Sequence, residues 1–326
     1  MAYKLAYLVD CSGSMGNSEG IEWSGISKLE LAKDSLIRLF RAADSFEPAD
    51  TIWVLAFRAP YLNRPEVEML VEGVRGSKVA SSSSASALAA LESIEAAGGT
   101  PMGKALAEAL KLMDSDIRQN KGILVITDGF SRIEEDPRLY IHEALLKRVR
   151  IDIAGIGKTA GTEELASLAE KTGGHFRKAL SLEEAYAAVR WQRPSFSSPD
   201  GLAVHQLLGE VLSMREELAS LERSFGDKSI DNPEYSERKK EMAKRIKALT
   251  PQINAVRDRL SREIAGLIAE RQVPLISMTS LKAAFERGQI GRKIYLERTS
   301  DAAKTLAEVN RRIEAKQHLL DSLPSI

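Results

Sequence analysis

Residues 1–190 alternate short apolar runs with longer stretches in which apolar side chains recur every three or four positions. Short runs rich in Val, Ile and Leu are typical of strands buried in a sheet, and the longer stretches are typical of amphipathic helices. The predicted strands are Lys4–Val9, Thr51–Arg58, Val67–Val71, Ile123–Thr127, Ile151–Ile156 and His175–Arg177. The predicted helices are Ser27–Ala43, Ala85–Ala96, Pro101–Asp116, Pro137–Lys147, Glu163–Lys171 and Leu182–Val189. This alternation predicts an α/β fold with a doubly wound, mostly parallel sheet. A short Pro- and Asn-containing turn between the second and third strands predicts one antiparallel edge strand.

The pattern changes after Gln192. A Pro- and Ser-rich stretch at positions 193–201 is typical of a linker. Beyond it, apolar residues recur at alternating spacings of three and four, as in helical hairpins and coiled coils. We therefore predict a first domain at positions 1–192, a linker at 193–201 and an all-α domain at 202–326. Pro251 interrupts one of the apolar seams, so that helix is expected to kink there or to restart with Thr250 as its cap.

A repeat is present within the helical region. A pattern of a helix end, a short turn and a helix opened by a tyrosine occurs twice along the chain. The matched pairs include Phe225 and Phe285, Ile230 and Ile290, and Tyr235 and Tyr295. We predict two ~60-residue copies of one hairpin unit, packed together to bury their apolar faces.

Composition excludes several classes of protein. The 326 residues leave room for two domains, and Lys plus Arg balance Asp plus Glu at 46 each, which argues against nucleic acid or an anionic membrane as a partner. No window approaches the ~18 apolar residues of a membrane span. The single cysteine, Cys11, excludes an internal disulfide. A strand that begins near the first residue leaves no space for a signal peptide, and these features favour the cytoplasm.

The first candidate site residues lie where the first apolar run ends. Asp10, Ser12 and Ser14 set a carboxylate and two hydroxyls on alternate residues there. Hard oxygen donors of this kind are the ligands that Mg²⁺ prefers. In the alternative interpretation, Asp10 and Ser12 merely cap a helix.

Two later segments add further oxygen donors. Thr100 precedes Pro101 at the head of a helical pattern, where we expect Thr100 at the N-cap and Pro101 at the first helical position. Asp128 follows the apolar run Ile123–Thr127, although an aspartate there could also simply start a turn. In a doubly wound sheet, such positions converge on the crevice beyond the carboxyl ends of the strands.

The constellation closely resembles the metal-ion-dependent adhesion site of von Willebrand factor A domains, which has the pattern D-x-S-x-S, a distant Thr and a distant Asp. The resemblance covers roughly residues 1–190. It implies that the serines and the threonine bind a metal ion directly, while the carboxylates often act through water. It also implies that one coordination position is left for a Glu or Asp of a partner protein. The expected ion is Mg²⁺, with Mn²⁺ or Ca²⁺ as alternatives, and its predicted ligands are Asp10, Ser12, Ser14, Thr100 and Asp128.

The expected function is a magnesium-dependent protein-interaction module that is not an enzyme, with a helical tail for dimerisation or scaffolding. The resemblance adds that intracellular members of the family often act beside AAA+ ATPases, as adaptors or subunits. Two alternatives stay open. One is a metal-assisted hydrolase with Asp10 or Asp128 as the base on a bound water, although no third titratable group is found for it. The other is a structural coiled-coil scaffold whose metal site is vestigial.

Overall fold

The computed structural model describes residues 2–21, 25–42, 45–59, 65–79, 85–116, 119–130, 136–193 and 199–324. Most of the predicted linker lies outside these residues. The chain divides into two compact units. The first comprises Met1–Gln192 and Arg271–Arg311, and the second comprises Arg193–Glu270 and Arg312–Ile326.

The first unit is built around one six-stranded sheet. Its strands are β1 (Tyr3–Asp10), β2 (Thr51–Phe57), β3 (Val67–Arg75), β4 (Asn120–Gly129), β5 (Val149–Ala160) and β6 (Phe176–Ala179). Their order across the sheet is β3-β2-β1-β4-β5-β6, and every neighbouring pair is parallel except β2 with β3. The predicted mostly parallel sheet with one antiparallel edge strand is confirmed.

Seven α-helices of the segment Met1–Gln192 accompany this sheet within the described part of that segment. They are α1 (Lys28–Arg41), α2 (Gly76–Val79), α3 (Ala85–Glu92), α4 (Met102–Leu112), α5 (Ile141–Leu146), α6 (Thr162–Lys171) and α7 (Leu182–Val189). The prediction that Thr100 is the N-cap of α4 and Pro101 its first helical residue is wrong. Pro101 has a ψ of 57°, which is not helical, so the proline stands at the N-cap and the helix begins at Met102. Thr100 is therefore outside the helix, and its carbonyl accepts a hydrogen bond from the Met102 N–H at 2.8 Å.

Side chains on the two faces of the sheet enter two separate apolar cores, because successive residues of a strand point to opposite faces. Leu5, Tyr7 and Val9 of β1 belong to the core that also contains the apolar face of α1. Ala6 and Leu8 belong to the core that also contains the apolar face of α4. The strands are thus covered on both faces, as a parallel sheet requires.

Two helices from the C-terminal part of the chain complete the second core. They are α10 (Gln272–Glu286) and the first part of α11 (Arg292–Ser322). Met278 of α10 and Leu306 of α11 are buried there. The guanidinium group of Arg271 donates hydrogen bonds of 2.7 Å to the carbonyls of Leu145 and Leu146 at the end of α5. Since a helix end leaves its last carbonyls without intrahelical partners, this arginine caps α5. The side chains of the second core therefore come from two separate stretches of the chain.

The second unit contains α8 (Pro199–Gly226), α9 (Asn232–Glu270) and the end of α11. Its core is formed by Val204, Leu207, Val211, Met214, Leu249, Ile253, Leu260, Leu319 and Leu323. One helix runs through Pro251, so the expected restart with Thr250 as a cap is wrong. The Thr250 hydroxyl instead donates to the carbonyl of Ile246 at 3.2 Å, within the helix. None of the described helices is long and apolar enough to cross a membrane.

The two hairpin turns of the helical region have the same local structure. Phe225 and Tyr235 stack across the turn between α8 and α9, with ring centroids 4.3 Å apart and planes inclined by 20°. Phe285 and Tyr295 stack in the same way between α10 and α11, at 4.9 Å and 20°. Each aromatic pair joins the end of one helix to the start of the next.

Candidate metal centre

The central strands β1 and β4 bring two carboxylates to one edge of the sheet. Asp10 is the last residue of β1, and Asp128 lies one residue before the end of β4. The two strands are parallel neighbours, with Val9 opposite Ile126, so their carboxyl ends coincide. The chain leaves β1 towards β2 on one side and β4 towards β5 on the other. This reversal of strand order opens the crevice in which doubly wound folds bind ligands.

Four of the five predicted site residues are joined by hydrogen bonds at this edge. The Ser12 N–H donates to Asp10 Oδ1 at 2.8 Å, and the Ser12 and Ser14 hydroxyl oxygens are 3.1 Å apart. The Ser14 hydroxyl donates to Asp128 Oδ1 at 2.9 Å. Ser12 precedes a short 3₁₀ turn, but its side chain makes no capping hydrogen bond. The hydroxyl of Ser12 is therefore directed to the cluster and does not serve as a helix cap.

The carboxyl group of Asp10 is completely buried. The Thr127 hydroxyl lies 2.6 Å from Asp10 Oδ2, so both carboxyl oxygens are held by uncharged donors. Burial raises the pKa of the Asp10 carboxyl to about 7, against the smaller lowering effects of hydrogen bonds from Thr127 and Ser12. Within the described part of the chain, no basic side chain pairs with Asp10. Burial of an anion is costly when no cation accompanies it.

Thr100 reaches the same edge through its loop. The Gly13 N–H donates to the carbonyl of Gly98 at 2.9 Å, and the Ala97 N–H donates to the carbonyl of Cys11 at 2.8 Å. These backbone bonds hold the Thr100 loop against the loop that carries the two serines. Among the described residues, no hydrogen bond links the Thr100 hydroxyl to the other four candidates.

Sequence reasoning missed two residues of the site. The hydrophobic pattern assigns Thr127 to a strand and indicates no role for it at the site. In the structure, this residue supplies the hydroxyl beside Asp10. The pattern places Lys28 only in a helix, yet its ammonium group lies 2.8 Å from Asp128 Oδ2. A signal for Lys28 does exist in the sequence. A lysine in the first turn of a helix faces the positive end of the helix dipole, where acidic residues are usual.

The donor set suits a hard divalent cation. It consists of oxygens only, from two carboxylates and at least two serine hydroxyls, and Mg²⁺ prefers such ligands. The described residues contain no cluster of three or more His, Cys, Asp or Glu side chains that could hold a metal ion. A cation at this edge would therefore depend on the hydroxyl groups as well as on the two carboxylates.

Comparisons with known proteins agree with this fold. The family model described as von Willebrand factor type A domain matches residues 5–130, a segment that contains all five predicted ligands. No curated protein shows significant sequence similarity to the chain.

Three solved structures illustrate the range of similar proteins. A von Willebrand factor type A protein from Catenulispora acidiphila is 22% identical, with a TM-score of 0.46, and the match covers 57% of this chain and 41% of that one. The ArnB paralog VWA2 from Sulfolobus acidocaldarius is 22% identical, with a TM-score of 0.41 and coverages of 56% and 43%. The SpRpn10 VWA domain is 18% identical, with a TM-score of 0.42 and coverages of 60% and 95%. The chain thus spans less than half of the first two proteins.

The six-stranded sheet with its single antiparallel edge strand and the match to residues 5–130 lead to the same conclusion. The chain contains a von Willebrand factor type A domain, a common type of protein-interaction module.

Proposed function

We propose that this domain binds a partner protein and that this binding depends on a divalent cation. The expected ion is Mg²⁺. The residues that would hold the ion are Asp10, Ser12, Ser14, Thr100 and Asp128. When bound, the ion would supply a hard positive charge and a position for a Glu or Asp of the partner.

The burial of Asp10 is the observation that carries this proposal. Its carboxyl group is inaccessible to solvent and held by uncharged donors, so its negative charge is poorly compensated. A structural role as a turn residue does not require a buried carboxylate at the crevice of the sheet. A cation beside Asp10 would remove the cost of burying this charge, and the adjacent serine hydroxyls would complete its ligands.

The side chains prepare the site before a partner arrives. The Ser12 N–H and the Thr127 hydroxyl fix both oxygens of Asp10, and the Ser14 hydroxyl orients Asp128. Ligands that are already oriented lose little conformational freedom on binding, so more of the interaction energy contributes to affinity. Ser14 is exposed, which leaves one side of the cluster open to a partner.

The proposal also includes a class of partner, a location in the cell and a role for the helical region. An AAA+ ATPase is the proposed class of partner, the cytoplasm is the proposed location, and the helical region would serve in dimerisation or as a scaffold. The apolar seam of α8 that would support a dimer is already covered within the second unit, by Leu249 and Ile253 of α9 and by the end of α11. A dimer through that seam has to open these contacts first.

Titration calorimetry with MgCl₂ tests the metal site directly. We expect the wild type to bind one equivalent of Mg²⁺ and the Asp10→Ala and Thr100→Ala variants to lose this binding. Asp34→Ala removes an exposed carboxylate of α1 and is the matched control, which should bind like the wild type. Absence of binding to the wild type would exclude the proposed metal dependence.

Affinity capture from a cell lysate tests the interaction itself. Proteins captured in the presence of Mg²⁺ should be released by EDTA and should not be captured by Asp10→Ala. A captured set that is identical with Mg²⁺, with EDTA and with the variant contradicts the proposal.

A further inference from the structure

Lys28 forms a buried ion pair with one of the proposed metal ligands. Its ammonium group lies 2.8 Å from Asp128 Oδ2, and the two side chains are only 5% and 6% exposed. The other carboxylate oxygen, Oδ1, accepts the hydrogen bond from Ser14. Asp128 is thus shared between an internal cation and the hydroxyl cluster.

The start of α1 places Lys28 at this position. Ser27 caps the helix through a capping box with Glu30, and the Lys28 N–H donates to the carbonyl of Asn17 at 2.9 Å. The helix therefore begins at Lys28 with little freedom to shift. A cation in the first turn is repelled by the helix dipole, so its presence there has to be compensated by the carboxylate that it meets.

A glycine on β5 makes room for the lysine side chain. A Cβ atom built at Gly157 would lie 3.2 Å from Cε of Lys28, which is closer than an ordinary van der Waals contact. The absent side chain at Gly157 lets the aliphatic part of Lys28 lie against the backbone of β5. Helix start, strand and carboxylate together define one position for the ammonium group.

We infer that Lys28 is a built-in cation that competes with the divalent ion for Asp128 and so sets the metal affinity of the site. This inference rests on the proposed function. An ion that binds Asp128 comes close to the ammonium group, and two positive charges at short distance repel each other in a buried environment. Without the ion, the ammonium group neutralises Asp128. With the ion, Lys28 has to give up part of that contact.

Calorimetry with MgCl₂ and MnCl₂ on the full chain tests this inference. Lys28→Met removes the charge and keeps an apolar side chain of similar length, and we expect it to bind the ion about tenfold more tightly or better. Lys28→Arg keeps the charge and should bind no more tightly than the wild type. Lys33→Met is the matched control, because Lys33 lies on the same helix but donates to the carbonyl of Ile94, and its affinity should equal that of the wild type.

Thermal melting provides a second measurement. Loss of Lys28 leaves Asp128 without its cation, so Lys28→Met should melt at a lower temperature than the wild type without metal and should gain more from added MgCl₂. Should Lys28→Met fail to fold, Lys28→Gln decides, since it keeps a hydrogen-bond donor beside Asp128 without the charge.

The outcomes separate this inference from the proposed function. Binding by the wild type with no tighter binding by the neutral variants overturns the role of Lys28 and leaves the metal site in place. Binding by the neutral variants but not by the wild type supports Lys28 as the competing cation and overturns the metal dependence of the native protein. Absence of binding in all of them overturns both.

Discussion

The ring of Trp191 lies directly over the backbone of Gly122 in β4. A Cβ atom at Gly122 would come within 2.0 Å of the ring, which no side chain can tolerate without movement. Trp191 also packs on Tyr3 of β1, with ring centroids 6.1 Å apart, and this contact limits how far the indole can move. We expect Gly122→Ala to lower the free energy of unfolding by about 1–3 kcal/mol or more, because the strand or the tryptophan has to shift. Urea denaturation followed by circular dichroism, which reports on the helices of both units, measures this change.

The control for that prediction is Gly209→Ala on α8. Among the described residues, and apart from the neighbouring backbone of its own helix, a Cβ atom at Gly209 would meet no atom within 4 Å. Because alanine is the better helix former, this variant should unfold at the same or a higher urea concentration, with a gain of up to about 1 kcal/mol. Equal destabilisation by the two substitutions would contradict the contact with Trp191.

The contribution of α10 to the core of the first unit can be measured with two substitutions on the same helix. Met278 is 1% exposed and Val273 is 77% exposed. We expect Met278→Ala to cost about 2–5 kcal/mol, because it leaves a cavity among the side chains that cover the sheet. Val273→Ala should change the stability by less than about 0.5 kcal/mol. Similar effects from the two substitutions, measured by chemical denaturation, would argue against the docking of α10.

The stability that the packing of α10 against α5 provides should depend on pH. His142 of α5 is buried, with Nε2 3.3 Å from the hydroxyl of Thr279 on α10. Burial lowers the pKa of His142, and the positive charge of Lys282 lowers it further, against the raising effects of Glu286 and Glu143. The unfolded chain therefore binds a proton at a higher pH, near the ordinary value of about 6.5, than the folded chain does. Stability is fully present above that pH and is lost as the pH falls towards the lower pKa of the folded state.

Urea midpoints at several pH values between about 5 and 8 measure this effect, because that range spans the ordinary pKa of histidine. His142→Gln lacks the titrating ring, so its midpoint should fall less steeply on acidification than that of the wild type. Parallel pH profiles for the two proteins would contradict the assignment to His142.

The two hairpin turns differ at one matching position, and opposite substitutions at that position test whether the turns are equivalent. Lys228, in the first turn, has a φ of 58°, and Gly288, at the matching place of the second turn, has a φ of 70°. A residue with a Cβ atom is strained in this left-handed region, whereas glycine is not. We expect Lys228→Gly to stabilise the protein and Gly288→Ala to destabilise it, by about 1 kcal/mol each. Thermal denaturation of both variants checks the opposite signs, and a shift in the same direction would mean that the turns are not equivalent.

Much of the first unit can be predicted because its pattern is local. Each buried strand is a continuous apolar run, and the positions of Asp10 and Asp128 follow from where two such runs end. The predicted start of α4 is one residue too early, because the prediction gives Pro101 a helical conformation that its ψ angle does not have. A proline before a helix fixes φ, but it leaves ψ to its surroundings.

The remaining features depend on contacts between residues far apart in the chain. The pairing of Lys28 with Asp128 joins residues separated by 100 positions, and no spacing rule connects a helix start to a strand end at that distance. The apolar seam of α11 indicates a buried face but not which surface covers it. Only the structure shows that Met278 and Leu306 join the apolar core that also contains the apolar face of α4.

The first unit is assembled from two separate stretches of chain, and this has a consequence during synthesis. All six strands have been made once β6 is complete, but the apolar surface that α10 and α11 cover remains open until Arg311 has left the ribosome. In that interval the nascent domain exposes this apolar surface while α8 and α9 are still being made. Molecular chaperones bind such patches, and a stalled or truncated product would be prone to aggregate.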